Sequence, residues 1–248
     1  QERIIQLLLQ QGSVGVDELI KYLRVSRMTV HRDLDELEAA QVLRKFRGGA
    51  TVERSTLFES DLRYRLRMAV DEKEALAKLG AGLVERGQAV MLDESSTMLP
   101  LARRLIKAGP LTIITNFVSI MQLVADARGI RLIGLGGEYL PQYNAFRGMF
   151  CERMIEGIRA DVLFMSVSAV SGNATFHQEG QVVATKRKML RSADRKILLV
   201  DHTKLGKTAL YQTAVLEEFD TVVVDDGVDE EALATLREAH PDVRVAAR

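Results

Sequence analysis

From Asp71 onward the sequence repeats one pattern: a segment of helical length, then a short aliphatic run. The runs are Ala89–Asp93, Leu111–Thr115, Ile130–Leu135, Val162–Ser166, Lys196–Asp201, Thr221–Asp225 and Val243–Ala246. Between them Glu72–Glu85, Met98–Ile106, Ser119–Asp126, Phe146–Gly157, Val182–Ala193 and Asp229–His240 read as helices. Strands of largely aliphatic residues are buried on both faces, and crossover helices supply that cover. The pattern therefore predicts an α/β domain with a parallel, Rossmann-like sheet. Any ligand is expected outside the carboxyl ends of its strands.

Polar residues gather at those ends. Asp93-Glu94-Ser95-Ser96-Thr97 follows the first strand and precedes a helix, so its hydroxyls and amides suit a phosphate or another anion. Thr115-Asn116 follows the second strand, Gly136-Gly137-Glu138 the third and Asp201-His202-Thr203-Lys204 the fifth. Lys186 opens a basic Lys186-Arg187-Lys188 run inside a helix. Each feature also has a plainer reading: helix capping for the hydroxyls, a turn for the glycines, a solvated helix face for the lysines. The three glycines of a dinucleotide fingerprint follow no strand and there is no Walker A sequence, which lowers nicotinamide and nucleoside-triphosphate chemistry.

Composition narrows the classes further. The chain is 47% hydrophobic and 27% charged, as soluble globular proteins are. It has no apolar run long enough to cross a bilayer and no secretory signal pattern, so a cytoplasmic protein without a membrane partner is expected. Cys151 is the single cysteine, which excludes an intrachain disulfide and a cysteine-built metal site. His31, His177, His202 and His240 are scattered and read as surface or loop residues, so no metal or cofactor is expected. Basic and acidic side chains balance at 34 each, and any nucleic-acid surface must be local.

Such a surface is suggested near the start. Ile4, Ile5, Leu7, Leu8 and Leu9 read as a first helix ended by Gly12, and Asp17–Leu23 as a second that presents Leu19, Ile20 and Leu23. Val25 follows as a buried turn residue and Ser26 as an N-cap. A third helix begins at Arg27; Val30, Leu34 and Leu37 form its buried stripe and turn Arg27, Thr29, His31 and Arg32 outward. This is the layout of a helix-turn-helix, whose second helix presents its N-terminal residues to a major groove. Arg44-Lys45-Phe46-Arg47, turning at Gly48-Gly49, suggests a two-stranded wing whose cations face phosphates. A winged helix that binds protein, with a merely solvated charged face, is the competing reading.

The segment resembles the N-terminal domain of the DeoR family of bacterial transcriptional regulators. Val25-Ser26, Thr29-Val30-His31-Arg32-Asp33-Leu34, Leu37-Glu38 and Arg47-Gly48-Gly49-Ala50 carry the resemblance. His31 stands for an arginine, Gln41 for a glycine and Arg47 for the wing histidine; Phe58, Arg63 and Glu72-Lys73 resemble the family's linker. The resemblance continues through the second domain. It implies a fold similar to ribose-5-phosphate isomerase that binds phosphorylated sugars or related metabolites. Asp93-Glu94-Ser95-Ser96-Thr97 matches the phosphate loop, joined by Thr115-Asn116, Gly136-Gly137, Thr185-Lys186-Arg187 and Asp201–Gly206. Glu94 departs by adding a negative charge, Val182-Val183-Ala184 by lacking acidic residues, and Ala169–Phe176 by its unusual composition.

The resulting expectation is a winged helix-turn-helix at 1–53, a linker at 54–70 and an α/β effector-binding and oligomerisation domain at 71–248. The resemblance implies a repressor of carbohydrate genes, homo-oligomeric as dimer or tetramer, on double-stranded operator DNA under control of a phosphorylated sugar. Expected DNA-binding residues are Ser26, Arg27, Thr29, His31, Arg32, Arg44, Lys45 and Arg47. Expected effector residues are Asp93, Ser95, Ser96, Thr97, Thr115, Asn116, Gly136, Gly137, Lys186, Asp201 and Lys204. The alternative is a sugar-phosphate isomerase-like enzyme. Asp93, Glu94, Glu138 and Asp201 would supply its carboxylates, but no spacing among them compels catalysis.

Overall fold

The computed structural model describes residues 2–39, 43–51 and 62–248, which divide into units Gln1–Tyr64 and Arg65–Arg248. Gln41, Phe58 and residues 54–61 of the expected linker lie outside the described residues. Its later part begins α4 (Leu62–Arg67).

The first unit contains α1 (Glu2–Gln11), β1 (Ser13–Gly15), α2 (Val16–Leu23), α3 (Arg27–Ala39), β2 (Arg44–Phe46) and β3 (Gly49–Thr51). Val30, Leu34 and Leu37 of α3 are buried against Ile4, Leu8 and Leu19, as their four-and-three spacing requires. Arg24 ends α2 in the left-handed region, at φ 57°, and Ser26 Oγ accepts the Thr29 amide at 3.1 Å to cap α3. The wing has one strand more than the sequence suggests: the antiparallel order is β1-β3-β2. β1 is short, follows Gly12 and ends in Gly15, so periodicity does not mark it. Gly49 is required there, since a Cβ would lie 2.5 Å from the Val14 carbonyl oxygen.

The second unit contains, in order, α5 (Val70–Ala81), β4 (Ala89–Leu92), α6 (Met98–Ala108), β5 (Leu111–Thr115), α7 (Val118–Val124) and β6 (Ile130–Gly134). A hairpin of β7 (Glu138–Leu140) and β8 (Ala145–Arg147) precedes α8 (Met149–Glu156) and β9 (Ala160–Met165). β10 (Ala169–Ser171), β11 (Ala174–His177), α9 (Gly180–Arg191), β12 (Ala193–Val200) and β13 (Tyr211–Val215) follow. β14 (Thr221–Asp225), α10 (Glu230–Ala239) and β15 (Val243–Ala246) complete the unit.

All seven expected strands form one parallel sheet in the order β15-β14-β12-β9-β4-β5-β6. Its inner strands are buried: Val90, Met91 and Leu92 on β4 and Leu163, Phe164 and Met165 on β9 are inaccessible. α5 packs with α6 and against β14, and α8 packs with α9.

Two features differ from the periodic reading. The helix expected from Phe146 starts at Met149, because Ala145–Arg147 pairs with Glu138–Leu140 and Gly148, at φ 84°, separates the two elements. A second, antiparallel sheet β10-β11-β13 follows β9. Its hairpin turns on Gly172-Asn173 between the paired Ser171 and Ala174, a two-residue loop of a type the sequence does signal.

Candidate functional site

Four neighbouring strands of the parallel sheet, β12, β9, β4 and β5, end beside one another. Their carboxyl ends are followed by Asp201–Lys204, Ser166, Asp93–Thr97 and Asn116. α9 adds Lys186, which is 1% exposed. The lysine run is thus not a solvated face: Lys186 is on the buried stripe with Val182 and Met189, while Lys188 pairs with Glu156.

Lys186 Nζ pairs with Asp93 Oδ2, lies 3.2 Å from Glu94 Oε1 and donates to the Ser166 carbonyl at 3.0 Å. Asp93 Oδ1 also accepts the Ser95 amide at 3.0 Å, and Oδ2 the Ser166 amide at 3.0 Å. Glu94 Oε2 accepts from Asn116 Nδ2 at 3.2 Å. Burial opposes the charge on Lys186, yet the carboxylates of Asp93 and Glu94 raise its pKa above the ordinary value. Burial likewise pushes Glu94 upward, but Lys186 and Asn116 outweigh it and lower the carboxyl. Glu94 is therefore an ionised partner of Lys186.

At the β12 end, Lys204 Nζ donates to Ser166 Oγ at 3.1 Å and lies 3.3 Å from Asp201 Oδ2. Burial pushes Asp201 upward, and Lys204 with the Thr203 hydroxyl brings it below the usual carboxylate value. Lys73 joins this end from α5, donating to the carbonyls of Arg65 and, at 2.5 Å, Met68. Burial first, then the neighbouring Lys204, lowers its pKa to about 7.

The structure brings Asp93, Ser95, Ser96, Thr97, Asn116, Lys186, Asp201 and Lys204 to this row of strand ends. Thr97 occupies the N-cap of α6 without a side-chain cap bond; its hydroxyl is 3.5 Å from Ser166 Oγ. Of the remaining expected residues, Thr115 and Gly137 have visible backbone roles. Thr115 Oγ1 accepts the Phe117 amide at 3.1 Å. Gly137, at φ 149°, allows the Arg147 carbonyl to approach where a Cβ would stand 2.5 Å away, whereas a Cβ on Gly136 meets nothing within 4 Å. Sequence reasoning missed Lys73, Arg147 and Ser166 as members of the site. Ser166 was nonetheless marked by its place at a strand end.

Two histidines correct the surface reading. His177 and His240 are buried, at 5% and 2% exposure. Burial and then Lys186 hold His177 well below its usual pKa, and its Nδ1 accepts the Glu179 amide at 3.1 Å. His240 Nε2 donates to the Phe219 carbonyl at 2.8 Å, satisfying both groups. His202, Asp225 and Glu72 bring possible metal-ligand atoms within 4.8 Å of one another. Asp225 already accepts the backbone amides of His202 and Gly227 at 2.7 and 2.9 Å and contacts the His202 ring at 2.7 Å. Loop anchoring accounts for this cluster.

In the first unit Ser26, Arg27, His31, Arg32, Arg44 and Arg47 are exposed and Thr29 and Lys45 half-buried. Arg27 pairs with Asp17 of α2, and Lys45 with Asp35 of α3. The Lys45 amide donates to Glu38 Oε1 at 2.7 Å, tying the wing to the same helix. These are surface pairs, weak in water and open to competition from phosphate.

Comparison with known proteins agrees with this two-part organisation. A DeoR-like helix-turn-helix domain matches residues 1–56, and a DeoR C-terminal sensor domain matches residues 68–226. The transcriptional repressor GlcR of Bacillus subtilis is 32% identical over 226 residues, 90% of this chain and 86% of that protein. The lactose phosphotransferase system repressor of Staphylococcus aureus is 32% identical over 240 residues, 95% of this chain and 94% of that protein. The regulator GolR of Listeria innocua is 31% identical over 250 residues, 99% and 97% of the two chains. Ribose 5-phosphate isomerase A of Methanocaldococcus jannaschii aligns with a TM-score of 0.41 at 20% identity, covering 55% of this chain and 54% of that one. No helix among the described residues is long and apolar enough to cross a membrane.

Proposed function

The chain belongs to the DeoR family of transcriptional regulators, and from that premise we propose that it is a homo-oligomeric repressor of carbohydrate genes released from its operator by a phosphorylated sugar. The observation that carries the effector reading is the row of strand ends, where Lys204, Lys73, Ser166 and Thr97 stand beside the Lys186 cluster. Lys73, Lys204 and Asp201 together leave a positive balance when Lys73 is protonated, which favours a phosphate at the β12 end. The names of the repressors from B. subtilis and S. aureus support the regulatory sign and, for the latter, a sugar system.

On the DNA side, α3 presents Arg27, His31 and Arg32 while its other face is fixed by the core, the arrangement required for groove reading. A two-fold dimer would offer paired heads to an inverted repeat, and a tetramer two such pairs. Release requires the sugar to bind the DNA-incompetent state more tightly than the competent one.

The isomerase reading loses its chemical basis in the same geometry. Asp93 and Glu94 are committed to Lys186, and Asp201 to Lys204 and Thr203. None of these three is a free base for moving a proton between carbons, and Glu138, the fourth candidate, is exposed on the β7–β8 hairpin. The chain is a regulator and not an enzyme.

The test is fluorescence anisotropy of the full-length protein on duplexes from the region upstream of its own gene, with and without a panel of sugar phosphates, across a salt series. Sequence-selective binding that weakens steeply with salt and is reversed by one of the panel is expected. Binding that no sugar phosphate alters would remove the proposed effector class.

A further inference from the structure

Beside the ion cluster, the β7–β8 hairpin meets the end of β5 and encloses polar atoms that lack partners. Asn116 is 2% exposed. Its Nδ2 donates to two acceptors, Glu94 Oε2 at 3.2 Å and the Phe146 carbonyl at 2.9 Å, which settles the orientation of the amide. Its Oδ1 is buried without a hydrogen-bond partner among the described residues. Arg147, the last residue of β8, has Nε and Nη1 in the same condition; the nearest carboxylate oxygen, on Glu179, is 4.0 Å from Nη1. Asn116, Arg147 and Glu94 line one small cavity of about 10 Å³, with Tyr143, Thr185 and the apolar Leu140, Ala145, Phe146 and Val182 forming the rest of the wall. That volume holds one water-sized group.

Buried donors and acceptors are ordinarily paired, and a cavity lined both by a residue with an orphaned acceptor and by one with two orphaned donors calls for a group that pairs with them. The group must donate to Asn116 Oδ1 and accept from the guanidinium at once. The hydroxyl of a sugar or of a water does both, whereas a carboxylate or phosphate dianion has no proton to give. Charge argues the same way: Asp93, Glu94 and Glu179 outnumber Lys186 and Arg147, so this end of the row carries no excess positive charge and the ionised Glu94 repels a second anion. Taking the effector to be a phosphorylated sugar, as proposed above, we infer that Asn116 and Arg147 form a subsite that reads a neutral hydroxyl on the sugar, at the end away from its phosphate. β12 and β5 are three strand intervals apart in the sheet, or about 14 Å at roughly 4.8 Å each. Side chains reaching inward, such as Lys204 toward Ser166, shorten this separation.

Isothermal titration of the full-length chain provides the test, with aldose and ketose hexose 6-phosphates, a hexose bisphosphate, a phosphorylated sugar acid and inorganic phosphate as probes. A hexose monophosphate should bind at least about tenfold tighter than inorganic phosphate, the bisphosphate or the sugar acid. Arg147→Met should bring its affinity down to that of inorganic phosphate while leaving inorganic phosphate itself unchanged. Glu94→Gln, which removes that repulsion, should shift preference toward the sugar acid. Unliganded melting curves verify that both variants are folded, and Arg147→Lys provides a variant that keeps the charge but loses the fork. An Arg147→Met protein with wild-type affinity and selectivity overturns the subsite while leaving the sugar-phosphate reading intact. Failure of every phosphate probe, inorganic phosphate included, to bind the wild type overturns that reading and the subsite with it.

Discussion

The two units of this regulator handle charge in opposite ways. In the helix-turn-helix, Arg27 and Asp17 pair with their side chains 62% and 75% exposed. At the strand ends, Lys186 and Asp93 pair at 2% and 0%. An exposed pair contributes little to stability and separates readily, which suits a surface that exchanges its own carboxylates for phosphates. A buried pair cannot separate without leaving a naked charge. The first kind of site can vary without loss of fold, whereas the second is part of the fold.

The largest expected effect follows from that distinction. Lys186→Met should destabilise the sensor unit by about 3–5 kcal/mol, because it strands Asp93 and Glu94 in the interior. Adding Glu94→Gln should restore part of the loss, a sign that the penalty is electrostatic and not a packing defect. Chemical denaturation of single and double variants measures it. A loss below about 1 kcal/mol, the range of surface pairs, would mean that water reaches the cluster and would erase the contrast between the two units.

Lys73 sharpens the comparison through pH. Its pKa falls from the ordinary 10.5 to about 7 on folding, so between those values the unfolded chain binds more protons than the folded one. Stability from this residue therefore rises as pH climbs from about 7 toward 10, by on the order of a few kcal/mol, and the penalty is fully present below 7. Denaturation midpoints at pH 7 and 9 for the wild type and Lys73→Met test this. The variant should lack this part of the rise, and equal slopes would return Lys73 to an ordinary, hydrated lysine. A phosphate bound near Lys204 should raise the pKa and flatten the wild-type slope.

How much of this was legible in the sequence follows from which forces act locally. The seven strands of the parallel sheet are readable because burial on both faces demands continuous aliphatic runs such as Val222-Val223-Val224. The α3 stripe is readable because helical period and burial coincide. The β7–β8 hairpin is not, since Glu138-Tyr139-Leu140 and Ala145-Phe146-Arg147 are short and half-polar; Phe146 fits a helical pattern equally well. Family resemblance marks Lys186 and Asn116 but says nothing of their surroundings. The place of Lys186 on the stripe of Val182 and Met189 was an available sign of burial. Arg147 had none, because its unpaired donors arise only when the hairpin meets the end of β5.

On the DNA side Arg32→Ala should weaken operator binding by about 1–3 kcal/mol if the side chain reads a base edge, with no change in melting temperature. Anisotropy on operator and random duplexes separates the possibilities. A loss confined to the operator assigns a base contact, and an equal loss on both assigns a phosphate. A fall in stability of comparable size would place Arg32 in the fold and contradict the exposed character of this surface.

The smallest effect belongs to Asp17. Its carboxylate pairs with Arg27 across α2 and α3, so Asp17→Asn removes an acidic competitor from the surface that phosphates approach. The intramolecular pair is worth about 0–1 kcal/mol, and the change in folding stability should stay within that range. Operator affinity should rise by a similar small amount at low salt, where the freed guanidinium and the lost repulsion both act, and the gain should shrink as ionic strength increases. Weaker DNA binding in Asp17→Asn at every salt concentration would mean that Asp17 holds Arg27 in its binding rotamer. The exposed pair would then be a positioning device and no longer an exchangeable one, and the two units would differ less than their burial suggests.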